Sequence, residues 1–310
     1  MSVSAGHYLN RAAVFSPVGA ARVCQLTLCC TVVSLVIHAA GYSATYGTFC
    51  MAVWTSCFSI TAAVFVLDVT RLHACLPVSW ENLTVTFASL AVLLTLTASV
   101  VYPVYFVRAD DCPYNNCEVR NFRIAVTVCS WAACGAYGTE VFLSRATPGR
   151  TGGYMATPPG ILKVVQIFVA CVIFVTLANG SDFSRHGATV YCVAVFGVCC
   201  AASVLLVALT VSGRAAALRL PFERCVAVFT LVAVLLYFSA AVIWPIFCFD
   251  RKYGAPLRPQ GCPGGKCSWD VKLAVSVLGF INLSLYTADL VYSQRSRPEA
   301  LRPRVWNIPY

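Results

Sequence analysis

Long apolar runs alternate with short polar breaks along the whole chain. Eight runs stand out: Val23–Gly41, Phe49–Thr70, Leu83–Val107, Ile124–Leu143, Ile161–Ala178, Thr189–Val211, Cys225–Cys248 and Val271–Tyr292. Each comes near the roughly 20 residues that a helix needs to cross a bilayer core, and none carries a charge in its middle third. Only a helix pairs every backbone N–H and C=O within its own segment when no water is at hand. A membrane β-barrel would show alternating segments of about ten residues, and these runs do not alternate. The pattern predicts an all-α polytopic membrane protein with eight transmembrane helices. Ala39, Ala40 and Gly41 would also suit a signal-peptide cleavage site after the first run, but the internal repeat described below favours a retained first helix.

Composition agrees with that reading. Of 310 residues, 59% are hydrophobic and 11% are charged, against about 25% charged in soluble domains. So few charges cannot coat a core of this size with polar surface, which excludes a soluble enzyme, a nucleic-acid module and a disordered chain. The formal net charge is +10, but the basic residues sit in short clusters, and no long basic face exists to receive a phosphate backbone. Eight crossings put both termini on one side. With that side cytosolic, Lys and Arg number 13 inside and 9 outside, a weak bias in the expected direction.

Cysteine placement bears on sidedness. Most of the 18 cysteines lie inside the apolar runs, where a thiol behaves as a small hydrophobe. Four lie in two loops, as Cys112-Pro113 to Cys117 and Cys262-Pro263 to Cys267, both of the form C-P-x-x-x-C. Each pair could close a small disulfide ring in an oxidising compartment, remain as free thiols, or help bind zinc; zinc would want four ligands at a tighter spacing, and no His is near. Disulfides require these loops to face outward, as the charge count does.

Self-comparison shows a duplication. Ser16-Pro17-Val18-Gly19, Arg22-Val23, Gln25-Leu26 and Cys30 recur 141 residues later as Thr157-Pro158-Pro159-Gly160, Lys163-Val164, Gln166-Ile167 and Cys171. Phe87, Leu93-Leu94 and Val101-Tyr102-Pro103 recur 142 later as Phe229, Leu235-Leu236 and Ile243-Trp244-Pro245. The cysteine pairs match at offset 150, and Tyr137 and Glu140 match Tyr286 and Asp289 at 149, so the second outer loop is longer. This predicts a cytosolic tail (1–15), a first four-helix unit (16–146), a cytosolic linker (147–156), a second four-helix unit (157–294) and a basic cytosolic tail (295–310).

The matched positions carry candidate chemistry. Arg22 and Lys163 start each unit on the inner side, and Glu140 and Asp289 end it there. An acid at a helix C-terminus opposes the macrodipole, so the repeat predicts inner-rim ion pairs, Arg22 with Glu140 and Lys163 with Asp289; solvation in the headgroup zone is the simpler alternative. Gln25 and Gln166 are placed to hydrogen-bond between helices. Tyr102 and Trp244 suit the headgroup level beside the helix-ending Pro103 and Pro245. Asp68 is read as an interfacial charge beside Arg71, with no acidic match in the second unit. His38 is read as a buried neutral histidine with a carbonyl partner. Small residues at Ala132, Ala133, Gly135, Ala136, Gly138 and Thr139 suit close packing within the bundle, or a face for self-association or sterol. Cys24, Cys75 and Cys225 near the inner face are candidate acylation sites. The sequon Asn82-Leu83-Thr84 would face the cytosol and go unused, and Asn179-Gly180-Ser181 abuts the membrane. The basic tail would be drawn to anionic lipid. No metal, cofactor or catalytic constellation is visible.

Several strings resemble the myeloid-associated differentiation marker family, including its marker-like members: Trp80-Glu81-Asn82, Ala98-Ser99-Val100-Val101-Tyr102-Pro103, Thr139-Glu140-Val141, Pro148-Gly149, Gly153-Tyr154-Met155-Ala156-Thr157, Phe249-Asp250-Arg251-Lys252-Tyr253-Gly254 and Ala288-Asp289-Leu290-Val291. The resemblance runs from about Pro17 to Ser293 and departs in the tail Gln294–Tyr310. It implies two tandem MARVEL domains, each a four-helix membrane unit, and a place in sterol-rich, trafficking or cell-junction membranes, with no catalytic or cofactor residues. The expectation is a non-enzymatic multi-pass protein of the plasma membrane or associated endomembranes. It would organise microdomains or trafficking and junction complexes, with lipids (sterol among them), other membrane proteins and its own copies as partners and no nucleic acid. The rival is a small-solute transporter or channel built from parallel repeats, with a wet path lined by Gln25, His38, Gln166 and Asn282.

Overall fold

The structure, a computed structural model, describes residues 10–108, 117–145, 153–178, 180, 183–214, 222–259, 261–262 and 267–295. Among these, every regular element is helical. A short α1 (Arg11–Phe15) leads into α2 (Pro17–Leu35), α3 (Ala44–Thr70), α4 (Trp80–Tyr102) and α5 (Glu118–Arg145). Then come α6 (Pro158–Ala178), α7 (Gly187–Val211), α8 (Phe222–Phe249) and α9 (Ser268–Arg295).

The chain divides into two compact units, Met1–Ala156 and Thr157–Tyr310. Each has the same internal plan. In the first, α2 packs on α3, α3 on α4, α4 on α5, and α5 back on α2. In the second, α6, α7, α8 and α9 close the same ring. Short connections make sequential neighbours antiparallel, the up-and-down logic of a helix bundle. Each ring has its own buried apolar cluster: Cys29, Val32, Trp54, Tyr102 and Tyr137 in the first, Ile173, Phe196, Tyr237, Trp244 and Tyr286 in the second.

Helix starts repeat as well. Ser16 caps α2 by accepting from the Gly19 N–H at 2.9 Å, with Pro17 in the first turn; Thr157 accepts from the Gly160 N–H at 3.4 Å ahead of α6. A hydroxyl satisfies an orphan donor, and a proline has none to satisfy. The helices therefore begin several residues before the apolar runs do.

Among the described residues, seven helices are long and apolar enough to cross a membrane: those containing α2, α3 and α4, and α6 to α9. The fourth apolar run differs from expectation. Its helix α5 has 28 residues but carries Glu118, Arg120, Arg123, Glu140 and Arg145, so length and composition alone do not make it a span.

Pro103 and Pro245 behave differently from each other and from the predicted helix end. After Pro103 the chain winds into a π-turn, Pro103–Val107, whereas α8 passes through Pro245 to Phe249. A proline removes one N–H from the ladder, and the wider π-turn absorbs that loss in the first unit. Tyr102 and Trp244 are buried, and they donate to Gly41 O at 3.4 Å and Lys272 O at 3.1 Å.

Candidate functional site

Each ring has a polar cluster at the end where its first helix starts and its last helix finishes. In the first unit, Arg22 of α2 reaches Glu140 of α5, with Nε 2.7 Å from Oε1. The same guanidinium pairs through Nη1 with Asp68 of α3. Gln25, one turn on from Arg22, donates from Nε2 to Glu140 Oε2 at 2.8 Å and to Ala136 O at 3.3 Å. Trp80 of α4 donates from Nε1 to Asp68 Oδ1 at 2.6 Å. All four helices of the ring thus meet on one arginine and two carboxylates.

The second unit builds its counterpart with fewer charges. Lys163 Nζ lies 2.6 Å from Asp289 Oδ2 and donates to Thr230 Oγ1 at 3.0 Å. Its remaining surroundings are aromatic, with the ring centres of Phe229 and Tyr286 at 4.9 and 5.3 Å. A cation over an aromatic face is attracted by the ring quadrupole. Gln166 donates to Asp289 Oδ2 at 3.1 Å and to Leu285 O at 3.4 Å. Lys163 and Asp289 are both fully buried. Breaking such a pair costs more than forming it yields, because the remaining ion has no water.

Deeper in each ring a tyrosine of the last helix is tied to the second helix. Tyr137 Oη is 2.7 Å from Thr61 Oγ1 and donates to Cys57 O at 3.2 Å. Tyr286 Oη is 2.9 Å from Ser203 Oγ and donates to Cys199 O at 3.4 Å. Cys50 and Cys192 match too, each with its thiol on a carbonyl of the next helix, Ala98 O and Ala240 O.

Two expectations need correction. Asp68 is not beside Arg71 as a surface charge; its carboxylate turns inward to Arg22 and Trp80, because a buried guanidinium with five donors needs more acceptors than one glutamate supplies. His38 is exposed rather than buried, its ring edge-on to Phe122, because the π-turn Val36–Ala40 rotates it outward.

The remaining candidates fall as follows. Cys262 and Cys267 form a disulfide. Cys117 is disulfide-bonded, and Cys112 lies outside the described residues. Cys24, Cys75 and Cys225 are exposed free cysteines. Ala132, Gly135 and Thr139 share an exposed face of α5, while Ala133 is buried. Residues 1–9, the linker up to residue 152 and residues 296–310 lie outside the described residues, as does Asn179. Asn82 is occupied: its Nδ2 donates to Ser79 Oγ at 2.8 Å and its Oδ1 accepts from the Met155 N–H at 3.0 Å. A side chain on Gly153 would run into it. This contact joins Trp80-Glu81-Asn82 to Gly153-Tyr154-Met155, two strings that lie far apart in the sequence.

Two helical rings with apolar exteriors and buried ionic clusters define a multi-pass membrane protein. The MARVEL model, described as a membrane-associating domain, matches twice, over residues 13–143 and 154–292. The chain belongs to the MARVEL family. It is similar to myeloid-associated differentiation marker-like protein 2 of Bos taurus, 52% identical over 299 residues (96% of this chain and 97% of the relative). The Xenopus laevis protein of the same name is 49% identical over 303 residues (97% and 100%). Human myeloid-associated differentiation marker is 38% identical over 288 residues (91% and 88%). No solved structure matches the chain.

Proposed function

We propose that the protein is a non-enzymatic membrane organiser that acts through lateral contacts with lipid, sterol among them, with other membrane proteins and with its own copies. The observation that carries this is where polarity goes. The strongly polar groups Arg22, Gln25, Glu140, Lys163, Gln166, Asn282 and Asp289 are buried and bonded to neighbouring helices. Asn282 donates to Tyr237 Oη at 2.8 Å. Bonds from these nitrogens hold helices together, which favours an organiser over the transporter reading, where Gln25, Gln166 and Asn282 would line a path; the amide oxygens of those three are buried without a hydrogen bond. The exterior offers apolar side chains and the small face Ala132, Gly135 and Thr139, a surface that admits close approach by another helix or a rigid lipid.

In this reading α5 is the eighth span. Its charges sit toward its ends, and Glu140 enters with its cation supplied by α2. The result is two four-helix units over 16–146 and 157–294, with both termini cytosolic and both cysteine loops outside, in the plasma membrane or associated endomembranes. The polar clusters are then inner-rim clusters, and Cys24, Cys75 and Cys225 lie on the acylation-competent side. Proximity labelling of the full chain in sterol-replete and sterol-depleted cells tests the role. Enrichment of trafficking or junction proteins that is lost on depletion is expected. A labelled set matching that of an unrelated plasma-membrane protein overturns it.

A further inference from the structure

We propose that His73 is the proton-binding element of a pH-sensitive latch on the hairpin between α3 and α4 of the first unit. Its imidazole stacks on the Trp80 indole, with centroids 5.3 Å apart and planes 25° apart. Its Nδ1 is 3.2 Å from Leu67 O and 3.6 Å from Asp68 Oδ1. That carboxylate oxygen is the one Trp80 Nε1 already donates to. The side chain of His73 is 29% exposed, against 17% for Asp68 and 8% for Arg22. Water can therefore deliver a proton to the imidazole while the acids behind it stay sheltered.

The charge count gives the latch its logic. Arg22 faces two carboxylates, Asp68 and Glu140, so the cluster carries one negative charge in excess. A charged His73 balances it. The second unit needs no such balance, since Lys163 and Asp289 stand one to one. There the position matching Asp68 is Thr210, and the matching hairpin sequence Ser212-Gly213-Arg214-Ala215 has no histidine. The excess acid and the imidazole occur together, in the same unit. The other titratable groups around His73 are Arg71 and Cys75 on its own segment, Glu81 next to Trp80 on α4, and Arg22 and Glu140 behind Asp68. Asp68 alone of the described carboxylates lies within 4 Å of it.

A protonated His73 adds an attraction to Asp68 and ties the hairpin to the end of α3. A neutral His73 keeps only the stack on Trp80 and the contact with Leu67 O. The turn Leu72–Cys75 presents Leu72, Cys75 and Leu76 on its exposed side, so the latch governs how firmly these three are held against the membrane surface.

The test uses the full chain in nanodiscs. Thermal unfolding of the unsubstituted protein and of His73→Gln is compared at pH 7.5 and 5.5. The margin in favour of His73 should widen at the lower pH by roughly 2–4 °C, and Asp68→Asn should abolish the widening. Should Asp68→Asn not fold, tryptophan emission supplies the second reading. A charged imidazole stacked on an indole quenches it, so acid should dim the unsubstituted protein and leave His73→Gln unchanged. A margin that does not move with pH, a widening that survives in Asp68→Asn, or identical emission profiles in the two proteins overturns the proposal.

Discussion

The two rings share a plan and differ in how they neutralise a buried cation. The first uses arginine with two acids and an indole. The second uses lysine with one acid, a hydroxyl and two aromatic faces. The exchange is reciprocal: Ala88 stands at the repeat position of Thr230, and Thr210 at that of Asp68. An arginine presents a planar fork that needs several acceptors, whereas an ammonium is a compact charge that a small cage can satisfy. The middle of each ring repeats the lesson in neutral form. Trp54 donates to Ser130 Oγ in the first. In the second, Phe196 takes the place of Trp54 and Gly279 that of Ser130, and the polar link moves to Asn282 and Tyr237. Duplicated helices keep their contacts but redistribute volume and polarity among them.

The sharpest way to break the comparison is to remove each cation. Lys163→Met leaves Asp289 buried without its cation and should cost about 3–5 kcal/mol. Arg22→Met leaves two carboxylates facing each other and should cost more. Unfolding in detergent, followed by denaturant titration, measures both, and equal losses would mean that the second acid in the first unit contributes nothing. Adding Asp289→Leu to Lys163→Met should restore most of the stability, because apolar replacements of buried ion pairs are often neutral. A smaller effect is expected at Gly153. Gly153→Ala pushes into an Asn82 held by two hydrogen bonds and should cost about 1–3 kcal/mol. Gly197→Ala inside α7 meets only Phe174 at 3.8 Å and should be neutral or slightly stabilising. Smallest is the tyrosine pair. Tyr137→Phe and Tyr286→Phe should each cost about 0.6–1.7 kcal/mol. Values matching within a few tenths would show that this part of the core has not diverged.

What the sequence discloses here is what it says twice. The offsets near 141 and 149 put Arg22 and Lys163, Gln25 and Gln166, Glu140 and Asp289, and Tyr137 and Tyr286 in register, and within each unit the structure brings the base, the amide and the acid together. Asp68, Trp80, His73 and Thr230 take part in the clusters with no repeated signal to mark them. The contacts of Asp68, Trp80 and Thr230 depend on how α3, α4 and α8 turn about their own axes, which an apolar run does not encode. His38 faces outward for a related reason: it lies inside the π-turn Val36–Ala40, and no spacing rule predicts such a turn. The span count is ambiguous at α5 because Glu140 is neutralised only by a residue of another helix, Arg22 of α2.

The separation of Arg22 from Glu140 has a consequence for how the chain is made. The two are 118 residues apart, so at a ribosomal rate of about 5–20 residues per second the arginine waits about 6–24 s for that partner. An arginine cannot shed its proton to make the delay cheaper; a lysine can. Asp68 emerges only 46 residues after Arg22 and chaperones the guanidinium through the interval. Lys163, whose one carboxylate partner is Asp289 of the last helix, has no such early escort.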